Sequence, residues 1–169
     1  MATAIPTLPD RANANAPGGQ FSDDRPLGSY ATLMAVFAAA FGGLLVLTKD
    51  RLPDRIGAGD LALGAVATHK ISRLVAKDKV TQPLRAPFTE NPEQSGPSEV
   101  SEEPAGKGPQ RAVGELLSCP YCVGMWVASG VVYGLALAPR VTRFVCSVFA
   151  AHAGSDFLQA AYSKAQSSS

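Results

Sequence analysis

Two long uncharged runs dominate the pattern of the chain. Tyr30 to Thr48 and Leu116 to Ala138 carry no Asp, Glu, Lys or Arg over 19 and 23 residues. At 1.5 Å of rise per residue the shorter run reaches ~28 Å as a helix, close to the ~30 Å hydrocarbon thickness of a bilayer. Both are expected to span a membrane. Asp60 to Lys79 also reads as a helix, with an acid at its start and Lys77 and Lys79 at its end, as the helix dipole favours. Its first half is apolar, but His69, Lys70 and Arg73 follow. Such a helix either lies at the interface or crosses with its polar face against other helices. Val141 to Tyr162 predicts a last helix, whose uncharged part, Phe144 to Ser155, is short for a span unless His152 and Asp156 face protein.

The remaining stretches are polar. Residues 1–28 hold four prolines and no apolar period, which predicts a disordered tail. Thr89 to Gln110 holds five glutamates, four prolines and one bulky apolar residue, Val100, and reads as an acidic disordered linker. The expected organisation is therefore a tail over 1–28, a first span with a basic helix over 29–88, a linker over 89–112, a second span with a C-terminal helix over 113–162, and a frayed end over 163–169. The fold class is all-α: a small helical integral membrane protein with two to four transmembrane helices. Pairs of small residues four apart, Ala38 with Gly42 and Gly130 with Gly134, would let such helices approach closely.

Composition sharpens this. Charged residues make up only 17% of the chain, against roughly 25% in soluble domains. The net charge of +1 excludes a strongly basic nucleic-acid binder. Three cysteines exclude a disulfide-dense secreted scaffold. Ten of the fifteen Lys and Arg residues fall between Lys49 and Arg111. The positive-inside rule then makes the 49–111 loop cytoplasmic, provided that the middle helix does not cross.

Cys119-Pro120-Tyr121-Cys122 is the most specific short motif. A thiol at a helix N-terminus, with proline opening the helix, is expected to have a lowered pKa. The strand context of a soluble dithiol fold is missing. Three readings stay open: small residues that let helices pack, a redox pair, or half of a metal site. Structural zinc needs four ligands, which would draw on Cys119, Cys122, His69 and His152 or on a second subunit. Trp126 projects from the same helix face as the two cysteines. His69 and Arg73, four apart, share a face that is either solvated or suited to an anionic headgroup. His152 and Asp156 form a second such pair. A Gly57-x-Gly59-x-x-Ala62 match to the dinucleotide fingerprint lacks its preceding strand and is rejected.

Two stretches together carry a family resemblance. Arg73 is followed by Asp78-x-Val80-Thr81-x-Pro83-x-Arg85-x-Pro87-Phe88, and after the linker comes Leu116-x-x-Cys119-x-x-Cys122-x-x-x-Trp126. Over about residues 58–138 the chain resembles a bacterial family of small membrane proteins known as domain of unknown function 1360. The resemblance implies a multi-pass protein of the bacterial cell membrane and no particular activity. Its characteristic positions fall on Arg73, Asp78, Thr81, Pro83, Arg85, Cys119, Cys122 and Trp126.

The expected function is that of a non-enzymatic membrane component, an interaction or lipid-binding protein. Its partners would be the bilayer and either a second copy or another membrane protein, with no nucleic acid. The alternatives are a membrane thiol–disulfide oxidoreductase using Cys119 and Cys122, and a structural zinc site shared between subunits. No residue pattern identifies a cofactor.

Overall fold

A computed structural model of the chain describes residues 26–167, so the expected N-terminal tail lies largely outside the described residues. The fold is mostly helical. The helices are α1 (Leu27–Thr48), α2 (Ala58–Lys77), the single turn α3 (Gln82–Arg85), α4 (Gly108–Ser118), α5 (Pro120–Leu137) and α6 (Pro139–Ser167). A hairpin of β1 (Thr89–Gln94) and β2 (Val100–Pro104) stands between α3 and α4.

Side-chain contacts give the helix directions. On α1, Tyr30 donates to Glu115 of α4, while Phe37 meets Trp126 and Phe41 meets Tyr133 of α5. Thus α1 runs parallel to α5. A Cβ on Gly64 of α2 would meet Val131 and Leu135, and one on Gly124 of α5 would meet Ser72, so α2 runs the opposite way. Asp60 with Arg143 and Lys70 with Asp156 align α6 with α2. The result is an up-down-up-down bundle of four long helices. One end carries the end of α2, the hairpin, α4 and the start of α5, and is called the cap end here. The other carries the Lys49–Gly57 connection and the α5–α6 turn.

Helix α2 is the hub, packed against both α5 and α6. Its buried positions are Gly64, Ala67, Lys70, Ser72 and Ala76, small residues apart from the lysine. Small side chains let neighbouring backbones approach and interlock. Gly134 of α5 does the same against α6, since a Cβ there would lie 2.7 Å from Thr142 Oγ1. Its expected companion Gly130, and Gly42 on α1, have open space around them. Of the three glycines singled out by spacing, Gly134 alone is held by a close neighbour in this way.

Three expectations need correction. Thr89 to Gln110 is not disordered: it forms the hairpin and the start of α4. Charge counting missed this because the hairpin is held by backbone pairing and by ion pairs of its glutamates, with Val100 its one buried apolar side chain. The fold is accordingly not purely helical. Nor does 49–111 stay at one end, because α2 runs the length of the bundle and puts Lys49, Arg51 and Arg55 opposite Lys77, Lys79 and Lys107. The charge bias behind a single cytoplasmic loop is thereby divided. As the proline predicts, the second apolar run starts its long helix at Pro120. Proline lacks an N–H and disfavours helical geometry in the residue before it, so α4 ends at Ser118 and Cys119 is extended (φ −108°, ψ 108°) before α5 begins at Pro120.

Among the described residues two helical segments, Leu27–Arg51 and Pro120–Leu137, are long and apolar enough to cross a membrane. The first is largely uncovered by the rest of the chain, with Met34 72% and Leu47 82% exposed.

The hairpin is seated on α4 by one close crossing. A Cβ on Gly114 would lie 2.2 Å from the Phe88 carbonyl oxygen, which also accepts from Ala105 N at 2.8 Å. Gly114→Ala is expected to destabilise the protein by about 1–3 kcal/mol through overpacking, seen as a lower unfolding midpoint and faster amide exchange across 88–105. Gly43→Ala, with open space around the new methyl, is expected to leave that exchange unchanged. Equal behaviour of the two variants would refute this seating.

Candidate functional site

The residues of the first motif half converge on the end of α2. Helix C-termini leave carbonyls without intrahelical partners, and here a buried arginine and a threonine supply them. Arg85 is 0% exposed. Its Nη1 donates to Val75 O and Thr81 Oγ1, both at 2.7 Å, and its Nη2 donates to Asp78 O at 3.1 Å. Its Nε donates to Glu102 on β2 at 2.5 Å. Thr81 in turn donates to Leu74 O at 2.5 Å. Pro83 stands in the first turn of α3, where its missing N–H is harmless. Asp78 takes part through its backbone, bridging to Glu99. Arg73 grips the Glu99 carboxylate with Nε and Nη2 at 2.5–3.1 Å, half-exposed. The hairpin tip is thereby held to α2, with Lys79 N donating to Ser98 O at 3.0 Å.

The second motif half sits at the same end. Cys119 caps α5, its Sγ accepting from Cys122 N at 3.3 Å and from Cys122 Sγ at 2.7 Å. Partial burial works to raise the Cys119 thiol. Hydrogen bonds from the Cys122 thiol and from the Cys122 and Tyr121 amides, with Lys77 nearby, outweigh that and hold it below its ordinary range. Cys119 is half-buried and Cys122 exposed, and both are free thiols. Trp126 faces inward, with its ring edge-on to Phe37 at 5.0 Å. Trp126 is thus turned toward α1, while Cys122 stays exposed.

The remaining candidates divide. His69 and Arg73 together line a groove of about 560 Å³ between α2 and α5. His152 lies on α6 with Nδ1 3.5 Å from Asp156, which also receives Lys70 Nζ at 2.5 Å. Among the described residues no three His, Cys, Asp or Glu side chains form a metal-binding group, so Cys119, Cys122, His69 and His152 do not assemble within one chain. Sequence reasoning missed Glu99, Glu102 and Lys70. The glutamates stood in a stretch read only as an excess of acid. The one signal for them was that Arg73 and Arg85 lacked acidic partners at helical spacing. Lys70 shows the same lack, but its partner lies 86 residues away and nothing local points to it.

The chain is similar to two Bacillus subtilis (strain 168) proteins. It is 30% identical to "Sporulation protein YjcA" over 93 residues, covering 53% of this chain and 79% of that protein. It is 26% identical to "UPF0713 protein YngL" over 91 residues, covering 52% of this chain and 66% of that protein. No solved structure matches the chain.

The clamp is a structural device with a measurable cost of removal. Arg85→Ala strands Glu102, which is 3% exposed at its side chain, together with the carbonyls of Val75 and Asp78. A loss of about 3–5 kcal/mol in unfolding stability is expected, as for other broken buried pairs. Arg73→Ala removes a more exposed pair and is expected to cost at most about 1 kcal/mol. Unfolding curves of the two variants check this, and equal losses would refute it. A sequence profile described as "Protein of unknown function (DUF1360)" matches residues 63–162, which takes in most of α2, the clamp, the hairpin, the dithiol and most of α6, and the chain belongs to that family.

Proposed function

We propose that the protein is a non-enzymatic integral membrane component whose helices sit in the bilayer and whose cap stands at one surface. The observation that carries this reading is the exposure of α1. A core helix of a soluble protein is covered by its neighbours, whereas only 6% of the apolar window of α1 and 17% of that of α5 is buried. An uncovered apolar surface of that size marks contact with lipid or with another apolar partner. Helix α1 is also tied to α4 and α5 through Tyr30, Phe37 and Phe41, which supports its place in the bundle. Phe41 O accepts from Tyr133 Oη at 2.8 Å. With Arg85 buried and committed to Glu102, the motif's role is to build the cap, and an interaction surface falls on what the cap leaves exposed. The full chain is expected in the membrane fraction, resistant to alkaline extraction and dependent on detergent for purification. A chain that stays dispersed and compact in plain buffer would overturn this reading.

The cysteine geometry favours one second reading, a thiol–disulfide couple. The Cys119 thiolate would attack a disulfide sulfur of a partner protein, forming a mixed disulfide as the partner's other sulfur leaves as thiolate. Cys122 would then lose its proton to water and attack Cys119 Sγ, releasing the partner's second thiolate. The chain's dithiol is thereby oxidised, and the partner's disulfide is reduced to two thiols. Because the thiolate is the nucleophile, alkylation of Cys119 is expected to rise at a lower pH than that of an ordinary exposed thiol. The Cys122 thiol is the largest of the interactions lowering Cys119, so Cys122→Ala is expected to shift the alkylation profile toward higher pH. Identical profiles in the parent and the variant would remove the basis of this reading.

A further inference from the structure

A groove between α2 and α5 runs apolar along most of its length, and meets the clamp at Arg73 and the dithiol's helix start at Pro120 and Tyr121 only at its cap end. It exists because small residues face each other: Gly64, Ala65, Thr68 and Ser72 on α2, and Gly124 and Ala128 on α5. The other sides of α5 are taken by α1, through Trp126 and Tyr133, and by α6, through Gly134. The groove opens outward, its rim residues Leu61 and Tyr121 being 47% and 92% exposed. From Leu61 to Arg73 it follows α2 for ~18 Å, at 1.5 Å per residue. One leaflet of a bilayer is about 15 Å deep in hydrocarbon. Its volume, about 560 Å³, falls within the roughly 300–1,000 Å³ of small-molecule sites.

Charge is confined to the cap end of the groove. His69 and Arg73 line it there, and Lys77 continues the same α2 face one turn further on. The first turn of α5, at Pro120 and Tyr121, closes that end with the positive pole of an 18-residue helix. Glu99 occupies Nε and Nη2 of Arg73, while Nη1 makes no hydrogen bond among the described residues. Lys77 makes no ion pair among the described residues, although Asp78 follows it in sequence and the Cys119 thiol lies near it. Apolar walls one leaflet deep, ending at Lys77 and at the open edge of the Arg73 guanidinium, fit an amphiphile with an anionic head.

We propose that this groove holds an acyl chain of an anionic glycerophospholipid, with its phosphate against Arg73, Lys77 and the first turn of α5. The inference rests on the membrane reading above and deepens it by naming the lipid class and the site. It makes the protein a selective lipid binder, with the cap as the collar around the headgroup.

Native mass spectrometry of the full chain in non-ionic detergent tests this, with phosphatidylglycerol or phosphatidylcholine of identical chains added. One phosphatidylglycerol per protein is expected, retained about fivefold better than phosphatidylcholine, which corresponds to ~1 kcal/mol for one surface cation. Lys77→Gln is expected to remove that preference and leave phosphatidylcholine retention unchanged. Ala128→Phe is expected to fill the groove and abolish retention of both lipids. Ala65→Phe fills it from the α2 side and serves if the first variant fails to fold. Parent-like retention by a folded groove-filling variant, or equal retention of the two lipids by the parent, would overturn the proposal. So would a groove-filling variant that changes the mass from dimer to monomer with lipid retention unaltered, since the occupant would then be a second copy. A chain that needs detergent but retains no phosphatidylglycerol overturns this inference alone. A chain stable without detergent overturns the membrane reading itself.

Discussion

The buried guanidinium of Arg85 is the constraint on which the cap depends. A helix ending inside a protein leaves carbonyls that must find donors, and α2 ends beneath the hairpin. Arg85 answers that need with three nitrogens: two reach Val75 O, Asp78 O and Thr81, and the third reaches Glu102. A lysine has the charge but not the planar fork that serves several acceptors at once. The charge pair alone would be a weak source of stability, because desolvating two ions offsets much of their attraction. What it adds is a geometric tie between β2 and the end of α2. A chain reversal of this kind can close in only one way, and the closure fixes where β2, and hence α4, must lie.

From that closure the dithiol follows. Gly114 lets α4 slide under the Phe88 carbonyl, which sets the direction in which α4 delivers Cys119 to the start of α5. Pro120 then breaks the helix, so that Cys119 becomes a cap rather than an interior residue. A cysteine inside a continuous helix would present its sulfur to backbone groups already paired. At the N-cap its sulfur meets free N–H groups, the same arrangement by which anions bind at helix starts. The two motif halves, separated by about thirty residues, therefore belong to one construction: the first ends α2 and the second begins α5, at the same end of an antiparallel pair.

Much of this was legible in the sequence. The two apolar runs, the helix from Asp60 and the capping position of Cys119 all follow from periodicity and from proline chemistry, which act within a few residues. The hairpin was not legible, for a physical reason. Its strands are mostly exposed and polar, so no alternation marks them, and their stability comes from partners elsewhere in the chain. Glu102 looks like any other acid until Arg85 is beside it. Lys70 has the same character, reading as a charge that spoils a helix until Asp156 of α6 receives it. Local rules register a residue's cost and stay blind to a distant partner that offsets it.

The same asymmetry explains why α2 is less apolar than α1 and α5 and yet the hub. Its small residues let two neighbours come close, and its charged residues each find a partner or an end of the bundle. Lys70 turns to α6, Arg73 to the hairpin, and Lys77 to the start of α5. On the proposed membrane reading, these positions graduate from a paired charge at depth to free charge at the surface, the order in which the cost of an unpaired cation falls toward the interface. The groove on its remaining face is a consequence of that design. Residues small enough to seat α5 closely along one line leave space beside it, and in a bilayer such space is filled by the solvent at hand, which is lipid.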